Sequence, residues 1–129
     1  MNIKTGLISG DNIDRVENFA KEMNISVYKG GCLPDDKVNS LEEMMKGSKA
    51  SIFVGDGIND APSLARADIG IAMGGLGSDA AIENADVVIM DDKPSKVATV
   101  IKLAKKNHIV VVQNIALALI IKFAAITLG

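Results

Sequence analysis

The stretch Ser51-Ile52-Phe53-Val54-Gly55-Asp56-Gly57-Ile58-Asn59-Asp60-Ala61-Pro62 decides the fold. Its apolar opening, Ser51 to Val54, runs straight into Gly-Asp-Gly, the pattern of a buried strand ending in a tight turn. Two carboxylates, Asp56 and Asp60, and one amide, Asn59, then crowd the carboxyl end of that strand. Open α/β sheets bind ligands at that edge. Carboxylates so close repel one another unless a cation lies between them, and hard oxygen donors suit Mg²⁺. Gly55 and Gly57 are expected to let the backbone approach a ligand. The commonplace alternative is an Asp-Gly turn with a solvated Asp. A calcium loop is excluded, because the sixth and twelfth places from Asp56 hold Ala61 and Ala67 where an EF-hand needs Gly and Glu.

Two stretches upstream lift the motif above a bare turn. Leu7-Ile8 reads as the end of a second buried strand, followed by the small-residue turn Ser9-Gly10-Asp11 and by Asn12. A hydroxyl and free backbone N–H groups at such a turn make an anion site, and Asp11 or Asn12 can cap the next helix. In Leu33-Pro34-Asp35-Asp36-Lys37, Pro34 suits the first turn of a helix. Lys37 falls in the same turn, where a cation opposes the helix dipole unless an anion is near. Taken singly, Lys37 reads as a surface lysine and Ser9 as a cap or turn residue.

In this order, the three motifs resemble those of the haloacid-dehalogenase-like phosphoryl-transfer superfamily, and more narrowly the phosphorylation domain of P-type ATPases. Ser9-Gly10-Asp11 stands where the family has Thr-Gly-Asp and keeps the hydroxyl. Pro34 to Lys37 matches Pro-x-x-Lys, and Gly55 to Pro62 matches Gly-Asp-Gly-x-Asn-Asp-x-Pro. The segments Ala67 to Gly74, Gly77 to Glu83 and Ala85 to Val88 follow the family pattern too, so the resemblance covers nearly the whole chain. It is nearest to the heavy-metal exporters of the zinc/cadmium/lead group. The family's nucleophile, the Asp of Asp-Lys-Thr-Gly-Thr, has no counterpart in these residues. The resemblance therefore implies the C-terminal half of a phosphorylation domain that works with a missing N-terminal half.

That resemblance implies a site by motif. Asp56 would ligate Mg²⁺ directly with Asp60 in support, Lys37 would neutralise phosphoryl oxygens, and Ser9 and Asn59 would hydrogen-bond them. Gly10, Asp11 and Gly57 would lie near the nucleotide phosphates. The implied partners are ATP, a heavy-metal cation and the cell membrane. Two other classes stay open: a soluble haloacid-dehalogenase-like phosphatase fragment, and a non-catalytic module that pairs with a pump.

Elsewhere the chain alternates strand and helix: strands at 4–9, 25–28, 51–54, 69–73 and 87–90, and helices at 12–23, 34–46, 61–66 and 78–84. That alternation predicts an α/β fold, a Rossmann-like, haloacid-dehalogenase-type parallel sheet, partial here, with right-handed crossovers. Val16, Phe19, Ala20 and Met23 are expected to share one buried face, and Val38, Leu41 and Met45 another. Gly75-Leu76-Gly77-Ser78-Asp79-Ala80 fits a dinucleotide fingerprint, but Val87 opens the next strand too soon for a full crossover helix. Ser78 and Asp79 read instead as caps of a short helix. A net charge of -2 offers no case for nucleic acid. One cysteine, Cys32, permits no internal disulfide and makes a poor soft-metal site alone. Nothing at the N-terminus reads as a signal peptide.

The last third changes character. Pro94 to Lys106 reads as an amphipathic helix, and from Ile109 the chain is apolar for about the ~20 residues that a membrane helix needs. The division expected is a phosphorylation-domain part at 1–106 and a transmembrane helix at 107–129. Lys102, Lys105 and Lys106 suit a cytoplasmic flank. Lys122 is an ionisable group within the span, a costly placement that usually signals function, with snorkelling to the interface as the alternative. The resemblance to zinc/cadmium exporters extends to Lys122, a transport-site candidate.

Overall fold

The computed structural model describes residues 3–56, 58–74, 79–91 and 93–129. Its elements are β1 (Gly6–Ile8), α1 (Ile13–Glu22), β2 (Val27–Lys29), α2 (Pro34–Met45), β3 (Ile52–Gly55), a 3₁₀ turn (Ile58–Asp60), α3 (Ala61–Arg66), β4 (Ile69–Met73), α4 (Asp79–Glu83), β5 (Val87–Ile89) and α5 (Ser95–Leu128). They fall into two compact units, Met1–Asp92 and Lys93–Gly129.

Every strand pairing among the described residues is parallel, as βαβ alternation requires. The strands form two sheets, β1-β2 and β3-β4-β5. β1 and β3 pair with each other in neither, so among the described residues each keeps an unpaired edge. α3 packs on the three-stranded sheet, where Leu64 and Ala72, each 1% exposed, meet Phe53, Ala85 and Val88. Burying a leucine so fully contributes about 2 kcal/mol.

The helices begin where their capping chemistry puts them. Asn12 Oδ1 accepts the Asp14 N–H at 2.8 Å, so Asn12 caps α1 while Asp11 Oδ1 accepts the Asn12 N–H. α2 opens with Pro34, whose missing N–H costs nothing in a first turn, and Asp36 Oδ2 accepts the Leu33 N–H at 3.1 Å. The buried face of α1 is narrower than its sequence stripe: Val16 and Ala20 are buried, whereas Phe19 and Met23 are exposed. A helix is about 10 Å across and paired strands stand about 5 Å apart, so a two-stranded sheet cannot cover the whole stripe. On α2, Leu41 is buried as expected, Ser40 is buried beside it, and Val38 and Met45 are half-buried.

The second unit is one unbroken helix, where the sequence suggested two. Neither Pro nor Gly occurs between Ser95 and Leu128, so nothing interrupts the backbone at 107–108. The expected junction at 106/107 thus lies inside α5, and the two units part at Asp92/Lys93. α5 is long and apolar enough to cross a membrane. Its 34 residues span about 51 Å, against a hydrocarbon core of about 30 Å.

Ser51 ties the start of β3 to the α3–β4 turn. Its backbone N–H and its hydroxyl both donate to Asp68 Oδ2 at 2.7 Å. These bonds, the hydroxyl's first, hold the Asp68 carboxyl below its ordinary value. A lowered folded pKa gives stability that is present above the unfolded pKa and is lost as pH falls through the folded one. Ser51→Ala should therefore lower the melting temperature near neutral pH, with the difference from wild type closing below about pH 4. Thermal unfolding in detergent micelles, followed by emission from Tyr28, the chain's single tyrosine, checks this; a difference constant down to acid pH would refute it.

Candidate functional site

The loops that leave β1, β2 and β3 carry the candidate residues. Ser9 follows β1; its N–H donates to Lys29 O at 2.9 Å, and its Oγ accepts the Asp11 N–H at 3.2 Å. Cys32 N–H donates to Ser9 O at 3.1 Å and Gly31 N–H to Asp11 O at 2.7 Å, which stitches the β1–α1 loop to the β2–α2 loop. A side chain at Gly10 would place its Cβ 3.1 Å from Cys32 O. The close approach there is between two loops. Gly10 and Asp11 are exposed and Ser9 is half-buried. Cys32 is a free, half-buried thiol.

Lys37 leaves the first turn of α2 and Asp60 closes the 3₁₀ turn after β3. Lys37 Nζ donates to Asp60 Oδ1 at 2.6 Å, with the side chains only 17% and 11% exposed. A charge-assisted bond of that length, mostly out of water, is a strong one. The dipole penalty expected of a lysine at a helix start is offset by an anion, as the sequence required, and that anion is the protein's own Asp60. By contrast Asp56 and Asn59 are exposed, and Gly57 lies outside the described residues.

Sequence reasoning missed the job of Gly55. A Cβ built on this buried glycine would lie 2.7 Å from Asp60 Cβ and 2.9 Å from Asp60 Oδ2. Its bare Cα therefore makes room for Asp60, whereas the expectation was room for a ligand. The residues predicted to share a site are thus joined in two groups, Ser9-Gly10-Asp11 and Lys37-Asp60-Gly55, with Asp56 and Asn59 facing water. Gly75 to Ser78 of the dinucleotide-like run also lie outside the described residues, and α4 beyond them is five residues long.

The donor set suits a hard cation, weakly. Asp56 offers a free carboxylate, while one oxygen of Asp60 is taken by Lys37. Among the described residues, no group of three or more His, Cys, Asp or Glu side chains could hold a metal. A Mg²⁺ here would keep several waters, as Mg²⁺ commonly does.

A family model for haloacid dehalogenase-like hydrolases matches residues 1–68, and the chain belongs to that family. Over 128 residues, 98% of the chain, it is 53% identical to the zinc-transporting ATPase of Synechocystis sp.. It is 49% identical over 129 residues to the cadmium, zinc and cobalt-transporting ATPase of Bacillus subtilis. The chain spans 18% of the length of each of these relatives. A crystal structure of a zinc-transporting PIB-type ATPase in the E2.Pi state superposes with a TM-score of 0.78 at 38% identity, covering 87% of this chain and 18% of that one. The catalytic domain of a CPx-ATPase, CopB-B, gives 0.61 at 38% identity over 67% of this chain and 35% of that one. Homology to transporting ATPases and the apolar α5 together place the chain at a membrane.

Truncating one partner of the buried pair should be costly, because it strands the other charge. Lys37→Met is expected to destabilise the first unit by about 3 kcal/mol. Lys29→Ala, which opens the exposed Lys29–Glu43 pair, should leave the transition unmoved. Unfolding of both variants, monitored at Tyr28, separates the two; equal effects would contradict the burial argument.

Proposed function

We propose that this chain supplies the Mg²⁺- and phosphate-binding half of the aspartyl-phosphate site of an ATP-driven heavy-metal cation exporter of the zinc/cadmium/lead type. The buried Lys37–Asp60 pair at the carboxyl edge of β3 carries the reading, since it joins two motifs that phosphoryl transfer uses. In this reading Lys37 faces the phosphoryl oxygens, Ser9 and Asn59 hydrogen-bond them, and Gly10, Asp11 and Gly57 border the nucleotide. Asp56 would hold Mg²⁺ with Asp60 behind it. Bound Mg²⁺ would neutralise charge on the phosphoryl group.

The nucleophile comes from outside these residues. Asp56 is exposed and Asp60 is committed to Lys37, so neither is arranged to attack. The unpaired edges of β1 and β3 offer backbone groups to one further parallel strand. Ile52 and Val54, each 40% exposed, offer it apolar surface. A segment carrying Asp-Lys-Thr-Gly-Thr is the natural occupant, so the missing half of the pump is the first partner. An apolar α5 with no buried residue counts against a soluble phosphatase.

The chain alone should neither hydrolyse ATP nor form a phosphoenzyme. Incubation with labelled ATP and Mg²⁺ should leave it unlabelled, and adding the complementary half should give acid-stable label on that half. Label on Asp56 or any other residue of this chain would refute the assignment.

Lys122, exposed on α5 within the apolar stretch, is proposed to contribute to the cation path. A charge at a span's centre costs ~2.5–3.5 kcal/mol on insertion scales. Lys122→Leu should accordingly strengthen bilayer insertion of the chain. In a complete pump carrying this segment, the same change should depress metal-stimulated turnover. Unchanged insertion together with unchanged turnover would remove Lys122 from the transport path.

A further inference from the structure

The Lys37 ammonium stands at the end of a flexible four-carbon stem, on a helix turn whose dipole repels cations. Left to itself it would extend into water. Asp60 stops it, and Asp60 is itself in an unusual position. It occupies the N-cap of α3, where a carboxylate ordinarily accepts a backbone N–H from the second or third helical residue. It makes no such bond. The second helical residue is Pro62, which has no N–H to give. The carboxylate is therefore turned away from its own helix, and its Oδ1 takes Lys37 Nζ at 2.6 Å. The space it turns into is the space above Gly55, where a Cβ would lie 2.7 to 3.1 Å from three Asp60 side-chain atoms.

We propose that Asp60 and Gly55 are positioning residues for Lys37: Asp60 holds the ammonium at the carboxyl edge of β3, and Gly55 is glycine because any side chain there would push Asp60 off it. The proposal deepens the function given above and rests on Lys37 being the cation that meets the phosphoryl group. It divides the two acids of Gly-Asp-Gly-x-Asn-Asp by job. Asp56, exposed and unengaged by Lys37, is left to the divalent cation. Asp60, with one oxygen committed, sets where the lysine waits. An arriving phosphoryl group then meets an ammonium already at hand, with its stem ordered in advance.

The test reads the lysine directly and needs neither nucleotide nor the missing half, so it can fail while the functional reading stands, or succeed while that reading fails. The full chain in detergent micelles is acetylated with a trace of N-hydroxysuccinimidyl acetate, and each lysine's labelling rate is measured by peptide mass spectrometry. A buried charge-assisted bond should slow Lys37 by about tenfold or more relative to exposed Lys49. Gly55→Ala and Asp60→Asn should each bring Lys37 to within about threefold of Lys49 while Lys46 and Lys49 stay unchanged. The double variant decides between positioning and a merely structural role. If Gly55 acts through Asp60, the methyl adds nothing once Asp60→Asn is in place, whereas independent effects would multiply. Multiplying effects, or wild-type protection of Lys37 in Gly55→Ala, would overturn the proposal. Should Gly55→Ala speed every lysine alike, the chain has unfolded and Asp60→Asn alone gives the answer: Lys37 released there supports the clamp, and Lys37 still protected refutes it.

Discussion

An ammonium held mostly out of water has to be matched by a carboxylate, and Lys37, half-buried, is matched by the buried Asp60. Lys37 comes from the helix that follows the two-stranded sheet, and Asp60 from the turn that follows the first strand of the three-stranded sheet. No β-ladder joins the two sheets among the described residues, so the joint is made by helices and by charge. α2 lies against α3, and a second, exposed ion pair, Arg66–Glu42, ties the same two helices at 2.5 Å. The exposed pair contributes little once solvent screening is counted. The buried one is strongly specified, because separating its partners leaves a charge without water or counterion.

Much of this was legible in the sequence, for local reasons. Strand–helix alternation, Asn12 before a helix and Pro34 opening one are rules of near neighbours, and the elements fall within a few residues of where those rules put them. The α/β class and parallel pairing follow from the alternation. What the sequence concealed was non-local. That the strands divide into two sheets depends on what lies beside β1 and β3, which periodicity does not encode. That α1 buries Val16 and Ala20 and leaves Phe19 and Met23 exposed depends on the width of the sheet beneath it.

The motifs single out the residues of the candidate site but not how those residues meet. By motif Asp56 would ligate Mg²⁺ with Asp60 in support, and spacing alone does not bring Lys37 to either acid. The geometry gives Asp60 to Lys37, across a sequence separation of 23 residues. Gly55 reads as space for a ligand because a glycine lets backbone come close, and spacing cannot say whose atoms fill the space. A faint signal was present in Asp60-Ala61-Pro62: a proline at the second helical place removes one N–H that an N-cap acid would take. An acid so placed is free to reach elsewhere.

α5 gives this chain a mechanical property that its chemistry does not. Thirty-four residues without proline or glycine make a stiff rod with no hinge. Between Ser95 and Lys122 lie about 40 Å of continuous hydrogen-bonded backbone. A small tilt of one end is delivered at the other as a displacement multiplied by that length, and a twist passes along undiminished. Ten degrees of tilt at Ser95 would carry the Lys122 backbone sideways by about 7 Å, more than one helical turn's rise. An ionisable group on such a rod has a position set from far away, with no need of a chain of contacts between.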